Sequence, residues 1–389
     1  SSVVGVLPTV RELSVEPPII LKPNMRIGEV LPKMKEHRIV AAPVVNDDNV
    51  LIGVLSYRNI LMKGVGRDTK IQTVMEPPYS LDENVDFDRA VMAFVSWRAR
   101  EIPVINASEV VVGIVSRNTV LDYMLRNGLV PSATVDSAMS RPAITIEEGE
   151  SIARARWLML KSGISRLVVV DKTGRVAGVI TLSDIVERLY TIRLSRRKGY
   201  EWIQSEESFL AAPVADYMTS PPITIPSGSS LAKAINILLE NRISGAPVVS
   251  ADDKPLGVFS GLDALKLYLD QLKISMPIEA KLSQVVKEDF TRLQIEKLVN
   301  SYLSKFSRYV NVIDFKLAVK EETKTDKEGR RRYNVRIRVV TDSGALTSQS
   351  ICWDLPTCVR EALEIIEKRL RKQVEKAVTA KRKKKREGD

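Results

Sequence analysis

Apolar and polar positions recur in a fixed order along residues 9–274 of this 389-residue chain. A strand with alternating apolar positions leads into an amphipathic helix, a short apolar strand, a polar turn, a second strand and a second helix. In the helix SIARARWLMLKSG, for example, one face carries Ile152, Ala155, Leu158 and Met159. Because self-similarity at a fixed period indicates a repeat architecture, we predict four β-α-β-β-α units.

Three kinds of marker define the four copies. The phrase AMSRPAITIEEG returns as YMTSPPITIPSG and, more loosely, as SVEPPIILKPN and VMEPPYSLDEN. The apolar strands read AAPVVN, EIPVIN, SRLVVV and GAPVVS. One glycine in each closing strand repeats at intervals of 60, 65 and 79 residues, at Gly53, Gly113, Gly178 and Gly257. The predicted boundaries are 9–70, 71–132, 133–190 and 214–274, and residues 191–213 are interpreted as a polar insertion or linker.

The closing segments IGVLSYRNIL, VGIVSRNTVL, AGVITLSDIV and LGVFSGLDAL approach a common pattern, Gly-φ-φ-[ST]-x-x-[DN], where φ is apolar. Together with the Pro-Val-Val strands, this pattern resembles the cystathionine-beta-synthase (CBS) domain. The resemblance implies an α/β unit in which repeats one and two form one tandem module and repeats three and four form another. Pairing is also physically expected, because a unit of about 60 residues leaves an apolar face exposed until a partner covers it.

The resemblance further implies an adenine nucleotide in the cleft of a module, with the hydroxyl and acidic residues of the closing pattern on phosphate and ribose. The candidate nucleotide-binding residues are Thr181, Asp184, Ser260, Asp263 and, facing a phosphate, Arg166. Repeat one has Ser56 and Asn59, whereas repeat two has Ser116 and Thr119 and lacks the ribose carboxylate. The pattern also resembles a helix capping box, so a structural role stays open. The expected ligand is ATP, ADP or AMP, and no cofactor is required.

Composition argues against catalysis and against a metal site. A single histidine, His37, is too few for a His-Cys metal cluster or an imidazole triad, and nucleophile-elbow and phosphate-loop motifs are missing from the sequence. We therefore expect no enzyme activity, no catalytic residues and no metal. Cys352 and Cys358 are expected to be two thiols. The lack of a long apolar run or signal sequence predicts a cytoplasmic protein without membrane contact.

The net charge of +11 belongs to the last hundred residues. Residues 1–289 contain 34 basic and 34 acidic side chains, whereas residues 290–389 contain 25 and 14. After residue 289 the pattern changes to a helix, three alternating strands and a long helix that begins after Asp354. We predict an α+β domain over 277–378, with an additional strand near Pro277–Val286 and a basic tail at 379–389.

A basic α-β-β-β-α unit has the element order of double-stranded RNA-binding domains. The step CWDLPTCVREAL, followed by IIEKRLRKQVEK, more closely resembles the ribosome hibernation factor family. That resemblance implies that the domain covers small-subunit ribosomal RNA and blocks translation, and it leaves a large-subunit contact open. The candidate RNA-binding residues are Arg330, Arg331, Arg332, Arg336, Arg338, Lys368, Arg369, Arg371, Lys372, Lys376, Lys381, Arg382 and Lys383.

Two functions follow from these predictions. The first is a ribosome hibernation factor whose repeats respond to adenine nucleotides. The alternative is a nucleotide-sensing regulator of a protein partner, for which the basic end is only an electrostatic anchor. Either function leaves open a homodimer formed through the CBS modules.

Overall fold

The chain divides into two units, Ser1–Ile274 and Ser275–Asp389. The computed structural model describes residues 7–194, 199–272 and 289–386. Among the described residues, the first unit has four small sheets and the second has one, and each unit has its own apolar core. In the described ranges, no helix combines the length and the apolar character that a membrane span requires.

The first unit contains four repeats with the predicted order of elements, although the leading strand of repeat one is reduced to a single bridge between Leu21 and Val44. Repeat one contains α1 (Val10–Leu13), α2 (Ile27–Glu36), β1 (Ala41–Val45), β2 (Leu51–Ser56) and α3 (Tyr57–Lys63). Repeat two contains β3 (Leu81–Asp82), α4 (Phe87–Trp97), β4 (Glu101–Ile105), β5 (Val111–Ser116) and α5 (Arg117–Arg126). Repeat three contains α6 (Val135–Ala138), β6 (Thr145–Glu147), α7 (Ile152–Ser162), β7 (Arg166–Val170), β8 (Val176–Thr181) and α8 (Leu182–Leu194). After α9 (Gly199–Ala211), repeat four contains β9 (Ile225–Pro226), α10 (Leu231–Glu240), β10 (Gly245–Val249), β11 (Pro255–Ser260) and α11 (Gly261–Gln271).

A polar side chain closes the turn of the central hairpin in successive repeats. Oδ1 of Asn46 accepts hydrogen bonds from the N–H groups of Asp48 at 2.9 Å and Val50 at 3.0 Å. Asn106 and Asp171 accept the equivalent pairs of bonds in repeats two and three. The residue that follows the apolar strand therefore fixes the turn, and the turn fixes the register of the two strands.

Within each module, the leading segment of one repeat pairs with the closing strand of the other. Val179 and Thr219 exchange N–H···O bonds of 3.1 and 2.9 Å, and Val258 and Ser140 exchange two bonds of 2.9 Å. The first module contains the same reciprocal pairs, namely Val54 with Glu76 and Ile114 with Val15. The backbone thus joins repeats one and two, and repeats three and four, as the sequence predicts.

The four periodic glycines lie at these crossings. A Cβ atom on Gly178 would lie 2.5 Å from Sδ of Met218 and 2.7 Å from the carbonyl oxygen of Thr219. A Cβ on Gly257 would lie 2.5 Å from the carbonyl oxygen of Ser140. Because real Cβ atoms do not approach backbone so closely, only glycine permits the exchange at this spacing.

The two modules meet through helices. In repeats one and three, α2 and α3 pack against α8, and in repeats two and four, α4 and α5 pack against α10 and α11. The Tyr190 hydroxyl donates to the carbonyl oxygen of Ile60 at 3.3 Å, and the Tyr268 hydroxyl donates to Oδ1 of Asp88 at 2.7 Å. Each repeat therefore has one partner through strands and a different partner through helices.

In the described part of the predicted insertion, residues 191–194 belong to α8 and residues 199–211 form α9, and both helices are packed. Arg193 forms a 2.6 Å salt bridge with Glu206, and both side chains are 14% exposed. Arg193 also donates to the carbonyl oxygen of Val65 in repeat one at 2.6 Å. Phe209 is buried and meets the Tyr217 ring edge to face. Through Arg193, this segment therefore contributes to the contact between repeat three and repeat one.

The second unit has the predicted order α-β-β-β-α. It consists of α12 (Asp289–Phe306), β12 (Val312–Thr325), β13 (Arg331–Thr341), β14 (Gly344–Cys352) and α13 (Leu355–Arg386). The antiparallel sheet has β13 at its centre, and alternate β13 residues, Val335, Ile337 and Val339, are buried in the core with α12 and α13. The strand predicted near Pro277–Val286 lies outside the described residues.

Near the end of the described residues, the structure differs from the sequence-based predictions in two respects. Cys352 and Cys358 form a disulfide in the structure and are not two thiols, because the turn from β14 into α13 brings their Cα atoms to 5.7 Å. Helix α13 continues to Arg386, so residues 379–386 of the predicted tail are helical. Alanine, lysine and arginine favour helix, and the first glycine of this stretch is Gly388.

Gly178→Ala should lower the free energy of unfolding of the four-repeat unit by about 1–3 kcal/mol, since the added methyl group overpacks the crossing. Urea unfolding of the full chain, followed by circular dichroism, measures the effect. The control is Gly149→Ala, where a Cβ would meet nothing within 4 Å. Equal stability of the two variants would contradict the role assigned to the crossing.

Candidate functional site

The closing patterns of repeats three and four form reciprocal caps on α8 and α11. The Thr181 N–H donates to Oδ2 of Asp184 at 2.9 Å, and the Asp184 N–H donates to Oγ1 of Thr181 at 3.2 Å. The Ser260 N–H donates to Oδ2 of Asp263 at 2.8 Å. The structural role that the sequence left open is therefore present. Each cap uses one carboxylate oxygen, and a carboxylate has further lone pairs for ribose hydroxyls.

The corresponding positions of repeats one and two are occupied by internal bonds. Asn59 is buried, and its side-chain amide donates to the carbonyl oxygen of Val74. Ser116 accepts a bond from the Thr119 N–H at 3.1 Å, and the two hydroxyls lie 2.8 Å apart. The first module therefore presents no carboxylate from this pattern to a ligand.

Arg166 reaches from repeat three to the start of β10 in repeat four. Its Nη2 donates to Oγ of Ser244 at 2.9 Å. A Cβ on Gly245 would lie 2.5 Å from Nη1 of Arg166, so glycine is needed for this approach. Because Gly245 is paired in register with Ser260, Arg166 lies beside the start of the repeat-four cap.

Two arginines of repeat two approach the same centre and were not among the predicted residues. Arg117 is 6% exposed, and its Nε and Nη2 donate to the carbonyl oxygen of Ala99 at 3.0 and 2.8 Å. A Cβ on Gly261 would lie 3.2 Å from Cδ of Arg117, which places this arginine against the first residue of α11. The charge of Arg100 acts on both neighbours and lowers the pKa of Arg117 and that of Arg166. A sequence signal exists for Arg100, in the paired arginines of RAREIP that lead into β4, whereas Arg117 has none.

Burial controls the protonation of this centre. Burial, reinforced by the like charge of Arg100, lowers the pKa of Arg117 to about 9 and that of Arg166 to about 10. Both arginines therefore keep their charge at neutral pH. Burial also raises the pKa of Asp263 and that of Glu101. Oε2 of Glu101 is buried and has no hydrogen-bond partner among the described residues.

The arrangement combines the two kinds of group that a nucleotide requires. Arg117 and Arg166 bring positive charge to the caps, and their observed hydrogen bonds go to carbonyl and hydroxyl oxygens. Asp184 and Asp263 supply acceptors suited to ribose. Across the described ranges, no cluster of three or more His, Cys, Asp or Glu side chains could hold a metal ion. The cations and carboxylates gathered at this centre are thus suited to pair with an anion and with hydroxyl groups.

Three segments of the chain, residues 10–66, 135–191 and 214–270, match the family model of the CBS domain. These segments are CBS domains. Repeat two lies between the matched segments, and its closing pattern departs from the others at Thr119. It nevertheless has the same strands and helices as its neighbours. The first unit, over its described residues 7–194 and 199–272, is called the CBS body below.

Similar proteins include two from Methanocaldococcus jannaschii. The uncharacterized protein MJ1404 is 27% identical over 335 residues, which cover 85% of this chain and 78% of MJ1404. The match is longer than the 274 residues of the first unit, so it includes part of the second unit. The uncharacterized protein MJ1225 is 23% identical over 64% of this chain and 95% of its own. The crystal structure of MJ1225 superposes with a TM-score of 0.61 and 22% identity, covering 67% of this chain and all of MJ1225, and so supports the fold of the CBS body.

Outside the CBS body, the predicted RNA-binding arginines at the β12–β13 hairpin are engaged in salt bridges. Arg330 bonds Asp326 and Glu328, each at 2.7 Å, Arg331 bonds Glu321 at 3.1 Å, and Arg332 bonds Glu322. To contact RNA, each of them would have to exchange a carboxylate for a phosphate.

The remaining predicted cations divide between β13 and α13. Arg336 and Arg338 are exposed on one face of β13 and, within the described part of the chain, form no salt bridge. The exposed α13 cations are Lys368, Arg369, Arg371, Lys372, Lys376 and Lys383. Among them, Arg371 bonds Glu367 at 2.8 Å and Arg369 donates to the carbonyl oxygen of Thr347. The side chains of Lys381 and Arg382 lie outside the described residues.

Asp263→Asn should stabilise the CBS body at pH 7, because the ionised carboxylate is buried at a cost that the amide avoids. The folded-state pKa of Asp263 is raised, so the native protein recovers this cost as the pH falls through that value. The difference in unfolding temperature between variant and native chain should therefore shrink as the pH approaches about 4, the unfolded value. Thermal scans from pH 7 downward measure it.

The matched control is Asp122→Asn, whose carboxylate is 45% exposed and pairs with Arg126. It should show little difference at any pH. A lower stability of Asp263→Asn at pH 7 would mean that attraction to the neighbouring arginines exceeds the cost of burial.

Proposed function

We propose that the protein is an adenine-nucleotide-sensing regulator whose second module binds the nucleotide. In this proposal the ribose hydroxyls bind Asp184 or Asp263 and the phosphates lie toward Arg166 and Arg117. The chain regulates a partner and does not catalyse a reaction. ATP, ADP and AMP share the groups that this centre recognises, and the number of phosphates decides how much of the positive charge is neutralised.

One observation carries the proposal: a buried cation from repeat two, Arg117, and a half-buried one from repeat three, Arg166, converge on the carboxylate caps of repeats three and four. In their observed hydrogen bonds, Arg166 and Arg117 donate only to carbonyl and hydroxyl oxygens. A buried charge is costly unless it is paired, so an anion bound at this centre would compensate them. The convergence also spans both modules, so a bound nucleotide would change the contact between them.

The comparisons support this reading of the CBS body. MJ1225, which shares its fold, has been proposed to be an archaeal homolog of g-AMPK. The three family matches cover repeats one, three and four, which include both complete closing patterns. Repeat two supplies arginines in place of the missing carboxylate. This difference agrees with binding in the second module only.

A second candidate function is RNA binding by the second unit, with the ribosome as partner. Its support is the location of the whole charge excess in residues 290–389, together with Arg336 and Arg338 exposed on the sheet. In this reading the second unit holds ribosomal RNA, blocks translation as a hibernation factor does, and is controlled by nucleotides bound to the CBS body. Positively charged surfaces of this kind gain affinity by releasing counterions from phosphates.

The double variant Asp184→Asn with Asp263→Asn should weaken nucleotide binding at least about tenfold, because hydrogen bonds to charged groups are each worth about 1.5–3 kcal/mol. Titration calorimetry with ATP, ADP and AMP measures it. Asparagine retains the oxygen that accepts the cap bond, so the fold is preserved better than with alanine. The control is Asp122→Asn with Asp270→Asn, two changes of the same kind on exposed helix surfaces.

Arg166→Gln refines the same titration. It should weaken the binding of ATP, ADP and AMP and leave the affinity for adenosine unchanged, because adenosine has no phosphate to contact the lost charge. Unchanged affinities in both the aspartate and the arginine variants would refute the nucleotide site.

The 389-residue chain should sediment with ribosomes through a sucrose cushion, and the bound fraction should fall as salt rises. ATP or AMP added before centrifugation should shift that fraction if the CBS body controls the contact. Failure to sediment at low salt would exclude the ribosome as partner and would leave the nucleotide site untouched.

A further inference from the structure

The sheet of the second unit has one face without a covering layer among the described residues. Alternate residues of β13, including Val335 and Ile337, are buried toward α12 and α13, so the residues between them point away from the core. Those residues and their cross-strand neighbours are exposed or half-exposed. Three cross-strand rows define this open face: Lys316–Arg338–Thr347, Ala318–Arg336–Gln349 and Lys320–Asn334–Ile351.

The charge of the open face is one-sided. Lys316 and Lys320 from β12 join Arg336 and Arg338 from β13, and all four are exposed. At one end of the alternate residues of β12, Oδ1 of Asp314 accepts the N–H of Phe315 at 2.9 Å. At the other end, Glu322 is already paired with Arg332.

Apart from the charged side chains, the open face carries amide, hydroxyl and aliphatic groups. Asn334 and Gln349 bond each other at 2.9 Å. Ile351 is 49% exposed on β14, and Trp353, which follows this strand, is 38% exposed. The cations of the sheet and a half-exposed tryptophan after β14 together supply the cationic track and the stacking ring that single-stranded nucleic acids require.

We infer that the open face binds single-stranded RNA, with phosphates on Lys316, Lys320, Arg336 and Arg338 and a base stacked on Trp353. The inference rests on the RNA-binding function proposed above and moves the contact from the hairpin arginines to the sheet. Arg336 and Arg338 lie about 7 Å apart along one strand, and the three strands span about 10 Å, which gives a narrow track for one strand. Polar Asn and Gln side chains can bond base edges without fixing a sequence.

The direct test is fluorescence anisotropy of the 389-residue chain with a labelled, unstructured RNA of about 20 nucleotides. Arg336→Gln with Arg338→Gln should weaken binding at least about tenfold at low salt and should make the salt slope shallower by about 1.4, since two phosphate contacts are lost. The control is Arg330→Gln with Arg331→Gln, which removes the same charge from ion-paired arginines. The RNA affinity of this control should fall by no more than about twofold.

A second pair of variants tests stacking. Trp353→Ala should weaken binding at least about fivefold with an unchanged salt slope, because stacking releases no counterions. Trp157→Ala removes a tryptophan that is 46% exposed in the CBS body and should have no effect. Unfolding temperatures within a few degrees of the native chain show that each variant is folded. If the β13 pair unfolds the unit, Lys316→Gln with Lys320→Gln replaces it, with the same expected loss.

The outcomes separate the inference from the function on which it rests. If the native chain binds no RNA at low salt, both fail. If it binds RNA but the hairpin pair loses as much affinity as the sheet pair, the open face is overturned and RNA binding stands. A blunt RNA duplex bound more tightly than the single strand would overturn the choice of single-stranded RNA, and single-stranded DNA bound equally well would overturn the choice of RNA.

Discussion

The structure of the CBS body depends on four places where a backbone crosses a glycine. At each crossing, the leading segment of one repeat exchanges two hydrogen bonds with the closing strand of its neighbour, and a side chain at the glycine would occupy the space of that backbone. The exchange is reciprocal, so neither repeat of a module can complete its closing sheet edge alone. The regular spacing of the four glycines therefore marks a backbone contact that recurs between repeats, in addition to the repeat of the sequence itself.

This crossing determines where the helices go and thereby where the candidate site forms. Because the strands pair with the other repeat of the same module, the contacts between modules are made by helices, which join repeat one to repeat three and repeat two to repeat four. The helix starts that carry the closing patterns are then brought toward residues from other repeats. Arg166 meets Ser244 of repeat four, and Arg117 meets the start of α11. A shared centre of this kind can couple a ligand to the contact between modules, because its walls belong to both.

The sequence predicted those features that a local period encodes. The number of repeats, their order of elements and the positions of Asp184 and Asp263 follow from spacing and from the closing pattern. Arg100 and Arg117 could not be found in this way, because their importance depends on which repeats meet across the modules. The pairing of Arg332 with Glu322 likewise depends on how β12 and β13 lie side by side. The packing of α9 depends on one buried ring, Phe209, within a stretch whose composition is polar.

Repeat two differs from repeats three and four at the start of its second helix. Its closing pattern has Thr119 where they have a carboxylate, and the threonine hydroxyl is used internally with Ser116. The same helix start carries Arg117, whose guanidinium bonds the carbonyl oxygen of Ala99 while its Cδ lies against Gly261 of repeat four. Repeat two therefore presents no carboxylate from this pattern, and it places a cation, anchored on its own backbone, beside the cap of repeat four.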